Sequence, residues 1–194
     1  MILTDTLIAA ERAAGNLTIE PYDPTRLGPN SYDVALDGRL LVYEVPGPFR
    51  RVWNWLRWGG GLVLDTARPT RARYVQIPPE GIVLRPGILY LGSTVERAGS
   101  AVYLTDIDGR STFARQGLSV HVTAGRGDVG WDSHWTLELT CIHPIRIYAG
   151  DVLAQIYFSK VDGQVRNRYD KSGHRYGSAD DGPVPALGPE WVRR

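Results

Sequence analysis

The feature that most constrains the fold is the repeated interruption of short apolar runs by proline and glycine pairs. Proline interrupts helices and cannot donate to a sheet ladder, while glycine supports the tight turns that join strands. The pairs Pro46-Gly47, Pro78-Pro79 and Pro86-Gly87 therefore predict turns. The apolar runs around them predict short strands at residues 40–43, 81–84, 88–91 and 102–104.

Two later segments alternate apolar and polar residues, which is typical of half-buried strands. They are residues 118–123, Leu-Ser-Val-His-Val-Thr, and residues 136–141, Thr-Leu-Glu-Leu-Thr-Cys. A helix is predicted only at the N-terminus, where Thr4 or Asp5 can cap it and Gly15 can end it, and in one short internal turn. The sequence thus predicts a mostly β fold of the jelly-roll or barrel type.

Composition separates a folded body from a tail. With 194 residues, 43% of them hydrophobic and 22% charged, the chain is expected to form one globular domain over residues 1–161. From residue 162 the sequence is rich in Gly, Pro, Asp and Arg and has no apolar periodicity. Residues 162–194 are therefore predicted to be a flexible tail that stays mobile or folds over something.

A tryptophan-rich insertion at about residues 46–62 stands apart from the strands. It places Trp53, Trp55 and Trp58 among arginines before a triple glycine. Interleaved aromatic and basic residues can stack on single-stranded nucleic acid. The favoured interpretation is a strand or hairpin with Trp53 and Trp55 on one face, covering a core edge or a subunit interface.

Charge and cysteine content limit the classes of partner. A formal net charge of +1 does not support bulk electrostatic binding of DNA or of an anionic membrane. The single Cys141 cannot form an intrachain disulfide, and no apolar run approaches the roughly 20 residues of a spanning helix. The N-terminus also lacks the pattern of a signal peptide. We expect a soluble cytoplasmic protein with no nucleic-acid and no membrane partner.

Residues 105–139 contain the side chains best suited to chemistry. Gly109 leads into a helical turn at residues 112–116 that Gly117 ends, and the turn carries a set of cationic and hydroxyl side chains that can cradle a phosphate. These are Arg110, Ser111, Thr112 and Arg115. Taken alone, they fit a capped surface turn with two solvated arginines better. Likewise, Asp128 alone is a turn former, and Glu138 alone is a polar strand residue.

Four segments, in order, resemble the dCTP deaminase family. The central one reads DGRSTFARQGLSVHVTAGRGDVGW and is followed by TLEL, and the others read IEPYDPTRLGPNSYDVALDGRLLVY and PIRIYAGDVLAQIYF. The resemblance implies the fold of trimeric dUTPases, a distorted jelly roll or β-clip, assembled as a homotrimer with active sites at the subunit interfaces.

The resemblance also implies roles for individual residues. Glu138 is the implied catalytic acid and base, and Ser111 and Arg115 are implied to line the reacting end of the base. A carboxylate with a pKa of about 4.3 in water can carry these protons if partial burial raises its pKa. The other implied substrate contacts are Arg110, Thr112, Gln155, the backbone of a His121, Val122, Thr123 and Ala124 strand, Asp128, Trp131, Tyr169, Arg175 and Tyr176.

The implied reaction converts dCTP to dUTP and ammonia without zinc. Zinc-dependent nucleotide deaminases need a His-x-Glu or Cys-x-Glu pair and a Pro-Cys-x-x-Cys pair, and this chain has one cysteine and neither arrangement. We expect no protein-bound metal site, with Mg²⁺ arriving on the triphosphate. Feedback inhibition by dTTP, acting through residues 121–125, is also implied.

Two other functions stay open. A bifunctional enzyme or a dUTPase would use the acidic turn at Asp128 to activate water at the α-phosphate and would release dUMP. A catalytically silent nucleotide sensor would bind without turnover. The tail also departs from the family pattern, since residues 175–183 lack a glutamine, and Asp180 and Asp181 place negative charge where a triphosphate is expected.

Overall fold

A computed structural model describes residues 1–44, 47–59, 62–65, 70–169 and 182–183. In these ranges the chain forms three α-helices and three antiparallel sheets. The helices are α1 (Asp5–Ala13), α2 (Pro48–Trp58) and α3 (Ser111–Ala114). The strands are β1 (Leu17–Glu20), β2 (Tyr32–Val34), β3 (Arg39–Tyr43), β4 (Ala72–Gln76), β5 (Ile82–Leu84), β6 (Tyr90–Ser100), β7 (Leu104–Gly109), β8 (Leu118–Ser119), β9 (Arg126–Gly127), β10 (Asp132–Cys141), β11 (Ile145–Ile147) and β12 (Ala154–Ser159).

The largest sheet is built around the two longest strands, β6 and β10. Its order is β4-β3-β6-β10-β8, and β1 also pairs with β6. The register places Glu138 opposite Leu91, with an irregularity between His134 and Thr136. A four-stranded sheet has the order β2-β12-β7-β9, and β5 pairs with β11. The mostly β jelly-roll type of fold predicted from the sequence is confirmed.

Strand β10 shows why the alternating pattern was informative. Every second residue from Ser133 to Cys141 is buried, and the residues between them are half-buried. Since successive side chains on a strand point to opposite faces, this burial fixes which face carries Glu138. The buried face joins a core to which all three sheets and Ile8 of α1 contribute.

The N-terminal helix forms where it was predicted. Thr4 occupies the N-cap position, although its hydroxyl makes no capping hydrogen bond to the helix backbone. Gly15 follows the helix with a φ of 77°, a conformation that glycine adopts without strain. Ile8 is fully buried and anchors the helix on the sheets.

The tryptophan-rich insertion is helical, so the predicted strand or hairpin is wrong. Apolar residues recur at helical spacing in Phe49, Val52, Trp53 and Leu56, a periodicity that outweighs the alternation of Trp53 with Trp55. Pro48 is suited to the first helical turn, and Gly59 ends α2 with a φ of 72°. The expectation of little helix beyond the N-terminus is corrected for the same reason.

The predicted strand at residues 118–123 is also too long, because only Leu118–Ser119 pairs with β10. Beyond Ser119 the ladder is replaced by contacts with Glu138. The backbone N–H of Glu138 donates to the carbonyl of Val120, and the Glu138 carboxylate accepts a hydrogen bond from the N–H of Val122. Residues 121–124 therefore form a bend. Two other predicted strands begin later than expected, at Tyr90 and at Leu104.

Most of the predicted tail, residues 170–181 and 184–194, lies outside the described residues, so its flexibility stays a prediction. None of the helices in the described ranges combines the length and apolar character needed to span a bilayer.

Candidate functional site

Glu138 lies near the middle of β10 with one carboxylate oxygen fixed. Its Oε2 accepts a hydrogen bond of 2.8 Å from the backbone N–H of Val122. Within the described chain, its Oε1 accepts no hydrogen bond. One oxygen is therefore held in place while the other stays available to a ligand or water.

A cavity of about 530 Å³ opens beside this carboxylate, and we call it the Glu138 pocket. Its lining comes from strands β3, β6, β9 and β10, from the segments next to β9 and β10, and from three residues elsewhere, Leu64, Leu89 and Tyr169. The lining residues are Tyr43, Leu64, Leu89, Leu91, Ala124, Arg126, Gly127, Asp128, Trp131, His134, Trp135, Thr136, Glu138 and Tyr169. The lining is largely apolar and aromatic with a few polar groups, which is the usual composition of a small-molecule site.

Aromatic side chains form one wall of the Glu138 pocket. Trp131 meets Trp135 edge to face with ring centroids 5.9 Å apart, and it meets Tyr169 in the same way at 5.3 Å. Tyr169 is held there by its backbone N–H, which donates to the carbonyl of Val129. Tyr169, which belongs to the predicted tail, therefore packs against the pocket. A flat heterocycle would find stacking and edge contacts here.

Glycines let the loop before β10 pack directly on the sheet. A Cβ at Gly99 would come within 2.0 Å of the carbonyl oxygen of Trp131, so only glycine fits there. A Cβ at Gly127 would lie 2.7 Å from the ring of Trp135. These close approaches place Asp128 and Trp131 at the pocket.

The polar rim of the Glu138 pocket carries charges of both signs. Asp128 is exposed on the turn after β9, and Arg126 is exposed two residues before it. Asp106 accepts a hydrogen bond of 2.7 Å from Arg126 Nε, and this contact raises the pKa of Arg126 above its ordinary value. Arg126 is therefore a permanent cation beside the Asp128 carboxylate.

The helical turn α3 carries the second group of predicted residues, which we call the α3 cradle: Arg110, Ser111, Thr112 and Arg115. Arg110 occupies the N-cap position, and the other three side chains are exposed. The guanidinium of Arg110 is oriented by Asp33, at 3.3 Å from its Nε, and by the carbonyl of Val152. Burial is the main cause that raises the pKa of Asp33, while Arg110 and then Arg26 oppose the rise.

Gln155, which the family resemblance implied as a substrate contact, lies on β12 next to the strands that lead to the α3 cradle. It is paired with Asp33 on β2 and with Asp108 on β7, because β12 lies between those two strands. Its Oε1 is 3.5 Å from the hydroxyl of Ser31. The sheet therefore supports Arg110 and Gln155 on one side of the molecule.

His121 does not line the Glu138 pocket. Its Nε2 lies 3.5 Å from a carboxylate oxygen of Asp108, and its ring covers Gly125, where a Cβ would come within 3.1 Å of it. Val122 and Thr123 are exposed and do not line the pocket. Of the predicted backbone segment, only Ala124 reaches the pocket wall.

No group of three or more His, Cys, Asp or Glu side chains in the described ranges is arranged to hold a metal ion.

Comparison with known proteins decides the family. The family model for dCTP deaminase-like proteins matches residues 2–161. The dUMP-forming dCTP deaminase of Cytophaga hutchinsonii is 41% identical over 157 residues, which cover 81% of this chain and 82% of that protein. The chain belongs to the dCTP deaminase family. It is therefore related to enzymes of nucleotide metabolism.

Two further comparisons agree. The dUMP-forming dCTP deaminase of Leptospira biflexa serovar Patoc is 40% identical over 188 residues, which cover 96% of this chain and 95% of that protein. The crystal structure of the deaminase from Agrobacterium tumefaciens superposes with a TM-score of 0.58 at 23% identity, covering 82% of this chain and 48% of that one. At that identity the superposition confirms the fold.

Within one chain of this family member, the predicted site residues fall into two groups. Ala124, Asp128, Trp131, Glu138 and Tyr169 line the Glu138 pocket, whereas Arg110, Ser111, Thr112, Arg115 and Gln155 do not. Arg175 and Tyr176 lie outside the described residues. The roles assigned to both groups stay predictions.

The sequence reasoning missed several lining residues. Arg126 had a visible signal, since it lies two residues from Asp128 in the same glycine-rich turn. His134 follows the turn and accompanies Trp135 on β10, where its Nδ1 lies 3.0 Å from the Thr94 carbonyl. Tyr43 and Leu91 come from β3 and β6, and only the folded sheet brings them to Glu138.

Proposed function

We propose that this protein is a bifunctional dCTP deaminase that converts dCTP to dUMP, ammonia and pyrophosphate. The observation that carries the proposal is that Glu138 and Asp128 line one cavity. Each carboxylate suits one of the two reactions. The relatives named dUMP-forming support this alternative over the dUTP product that was the main expectation from the sequence.

In the first reaction, water adds to C4 of the cytosine ring, N3 gains a proton, and the C4–N4 bond breaks as ammonia leaves. We assign the proton transfers to Glu138. The enzyme would then be a hydrolase that acts on the C–N bond of a cyclic amidine. The Glu138 carboxylate takes a proton from the attacking water and delivers it to N3. It then takes the remaining proton of the new C4 hydroxyl and delivers it to N4, so that the C4=O bond forms as ammonia leaves. The Val122 N–H holds one carboxylate oxygen and so limits the orientations of the other oxygen, which would carry the protons.

In the second reaction, water attacks the α-phosphorus and the bond to the bridging oxygen of pyrophosphate breaks. We assign the general base to Asp128, because an exposed carboxylate at the pocket rim can reach a water beside a bound phosphate. Arg126 beside it can stabilise the negative charge that develops on the phosphate oxygens.

A complete site also needs more phosphate ligands than Arg126, which is the one arginine among the described residues that line the Glu138 pocket. The α3 cradle supplies the required cations and hydroxyls but lies outside that pocket. We therefore propose a homotrimer in which the cradle of one subunit completes the pocket of its neighbour, with Ser111 and Arg115 at the reacting end of the base. Mg²⁺ bound to the triphosphate would neutralise part of its charge.

Regulation and location belong to the same proposal. Binding of dTTP to the Glu138 pocket would inhibit by competing for it and by shifting the bend at residues 121–125. The enzyme would act in the cytoplasm, and Tyr169, Arg175 and Tyr176 would close over the triphosphate.

The test is to incubate the purified protein with dCTP and Mg²⁺ and to resolve nucleotides, ammonia and pyrophosphate over time. We expect dUMP and pyrophosphate to appear with ammonia in equal amounts. Asp128→Asn should stop the sequence at dUTP while ammonia release continues. Asp162→Asn, which removes an exposed carboxylate outside the pocket, is the matched control and should behave as the wild type.

Other results would contradict the proposal. Accumulation of dUTP by the wild type would mean that the protein only deaminates and does not hydrolyse dUTP. Nucleotide binding without turnover would favour the silent sensor.

A further inference from the structure

An aliphatic side chain lies directly across the sheet from the acid of the Glu138 pocket. In the register of the large sheet, Leu91 on β6 is paired with Glu138 on one side and with Leu41 on β3 on the other. Paired residues of antiparallel strands share a sheet face, with Cβ atoms about 5 Å apart. The Glu138 carboxylate therefore has hydrocarbon as its neighbour on the β6 side.

Leu91 belongs to a small hydrophobic cluster that is separate from the main core. Its buried members are Leu41, Tyr43 and Leu91, and Ala72 and Leu89 pack against them. Three of these five residues also line the Glu138 pocket, and we call them the apolar wall: Tyr43, Leu89 and Leu91. The pocket thus continues from the acid onto a surface without charged groups.

The other side of Glu138 is polar backbone. Strand β10 lies between β6 and the short β8, and the bend at residues 121–124 follows β8. The backbone N–H of Val122 donates to Glu138 Oε2, and Ala124 of the same bend lines the pocket. The acid therefore has hydrogen-bonding backbone on one side and the apolar wall on the other.

A cytosine ring has the same two-sided character around C4, the atom to which water adds. One neighbour of C4 is N3, which leads to the C2 carbonyl, and the other is C5, which carries only hydrogen. Buried N3 and carbonyl groups need hydrogen-bond partners, whereas the C5 edge needs none. Turning N3 toward Leu91 would leave those polar groups unpaired. A base with C4 at Glu138 is therefore favoured with N3 toward the bend and C5 toward the apolar wall.

We propose that the apolar wall is a subsite for a substituent at C5, so that the enzyme deaminates 5-methyl-dCTP as well as dCTP. The proposal rests on the proposed deaminase function and extends its substrate class to cytosine deoxynucleotides with a small apolar group at C5. Water adds to C4 and the C4–N4 bond breaks as ammonia leaves, while the methyl group takes no part. The product base is thymine, and hydrolysis at the α-phosphorus then gives dTMP and pyrophosphate.

The test is to measure initial rates with dCTP and with 5-methyl-dCTP, each with Mg²⁺, following ammonia and the uracil or thymine nucleotide by chromatography. We expect the wild type to release ammonia from both. The KM for 5-methyl-dCTP should be roughly fourfold lower, because the methyl group leaves water for an apolar surface.

Variants at Leu91 test the subsite itself. Leu91→Phe fills it and should lower the ratio of kcat/KM for 5-methyl-dCTP to that for dCTP at least about tenfold. Leu91→Ala enlarges it and should raise the corresponding ratio for 5-propynyl-dCTP, which keeps the test decisive if Leu91→Phe does not fold. Leu7→Phe, the same change at an exposed residue of α1 outside the pocket, is the matched control and should keep the wild-type ratio.

The outcomes separate this inference from the proposed function. Turnover of dCTP but not of 5-methyl-dCTP by the wild type would overturn the subsite and leave the deaminase intact. Turnover of neither nucleotide would overturn both. Wild-type ratios in both Leu91 variants would show that C5 does not face the apolar wall.

Discussion

The Glu138 pocket and the α3 cradle differ in their surroundings and in their chemistry. The pocket is enclosed by buried residues such as Leu91 and Trp135, and its acid sits beside aromatic rings. The cradle is a solvent-exposed turn whose side chains are cations and hydroxyls. The first environment suits a neutral heterocycle and the second suits a triphosphate, so one nucleotide would need both. The proposed function therefore relies on assembly of several chains to bring the pocket and the cradle together.

The largest effect is expected at Glu138. Glu138→Gln keeps the shape of the side chain and an oxygen for the Val122 N–H, but it removes the proton carrier. Ammonia release from dCTP should fall roughly a thousandfold. Hydrolysis of supplied dUTP should continue, because that reaction is assigned to Asp128.

Binding of dCTP to the Glu138→Gln variant, measured by calorimetry, is the companion measurement and should resemble that of the wild type. Wild-type ammonia release by this variant would show that the pocket holds a different acid and base.

Mixed assemblies of two variants test directly whether the pocket and the cradle of one site come from different chains. Glu138→Gln and Arg115→Ala should each be inactive alone, since one damages the pocket and the other the cradle. If every site joins the pocket of one chain to the cradle of another, each mixed trimer regains one intact site, or about a third of its sites. Co-expressing the two variants with different affinity tags and purifying through both tags selects mixed assemblies for the ammonia assay.

Mixed assemblies without activity would mean that a single chain supplies both halves. Co-assembly of Glu138→Gln with Glu138→Ala is the control, because both of those variants damage the same half and should restore nothing.

Sequence reasoning succeeded where one strand determined the answer. The alternation on β10 assigned Glu138 to the polar face, and the turn around Gly109 to Gly117 located α3. It failed where contacts with residues distant in sequence determine the local structure. Residues 121–124 alternate like a strand, but the Glu138 carboxylate occupies the Val122 N–H that a ladder would use. On α2, the spacing of two tryptophans obscured a helical period, and hydrophobicity alone did not indicate that Phe49, Trp53 and Leu56 would be exposed.

The smallest effect is expected at Asp33, which positions Arg110 in the cradle without touching the pocket. Asp33→Asn should raise the KM for dCTP several-fold and leave kcat nearly unchanged, since the phosphate ligand loses its orientation but Glu138 does not. Steady-state kinetics of this variant should be compared with Asp37→Asn. Asp37 also lies 3.3 Å from the Nε of an arginine, Arg39, but neither residue belongs to the cradle or the pocket, so its KM should not change.

Asp33→Asn should weaken dCTP binding without lowering the melting temperature of the protein at pH 7. Burial raises the pKa of Asp33 above 3.8, so the folded protein holds this proton more tightly than the unfolded chain. The stabilising contribution is complete below the unfolded pKa and is lost as pH rises through the folded pKa. The amide of the Asp33→Asn variant is neutral at any pH, like the protonated carboxyl. The melting temperature of this variant at pH 7 should therefore equal or exceed that of the wild type. The difference should shrink toward pH 4. A variant that binds dCTP poorly and also melts earlier at pH 7 would show that Asp33 supports the fold rather than the orientation of Arg110.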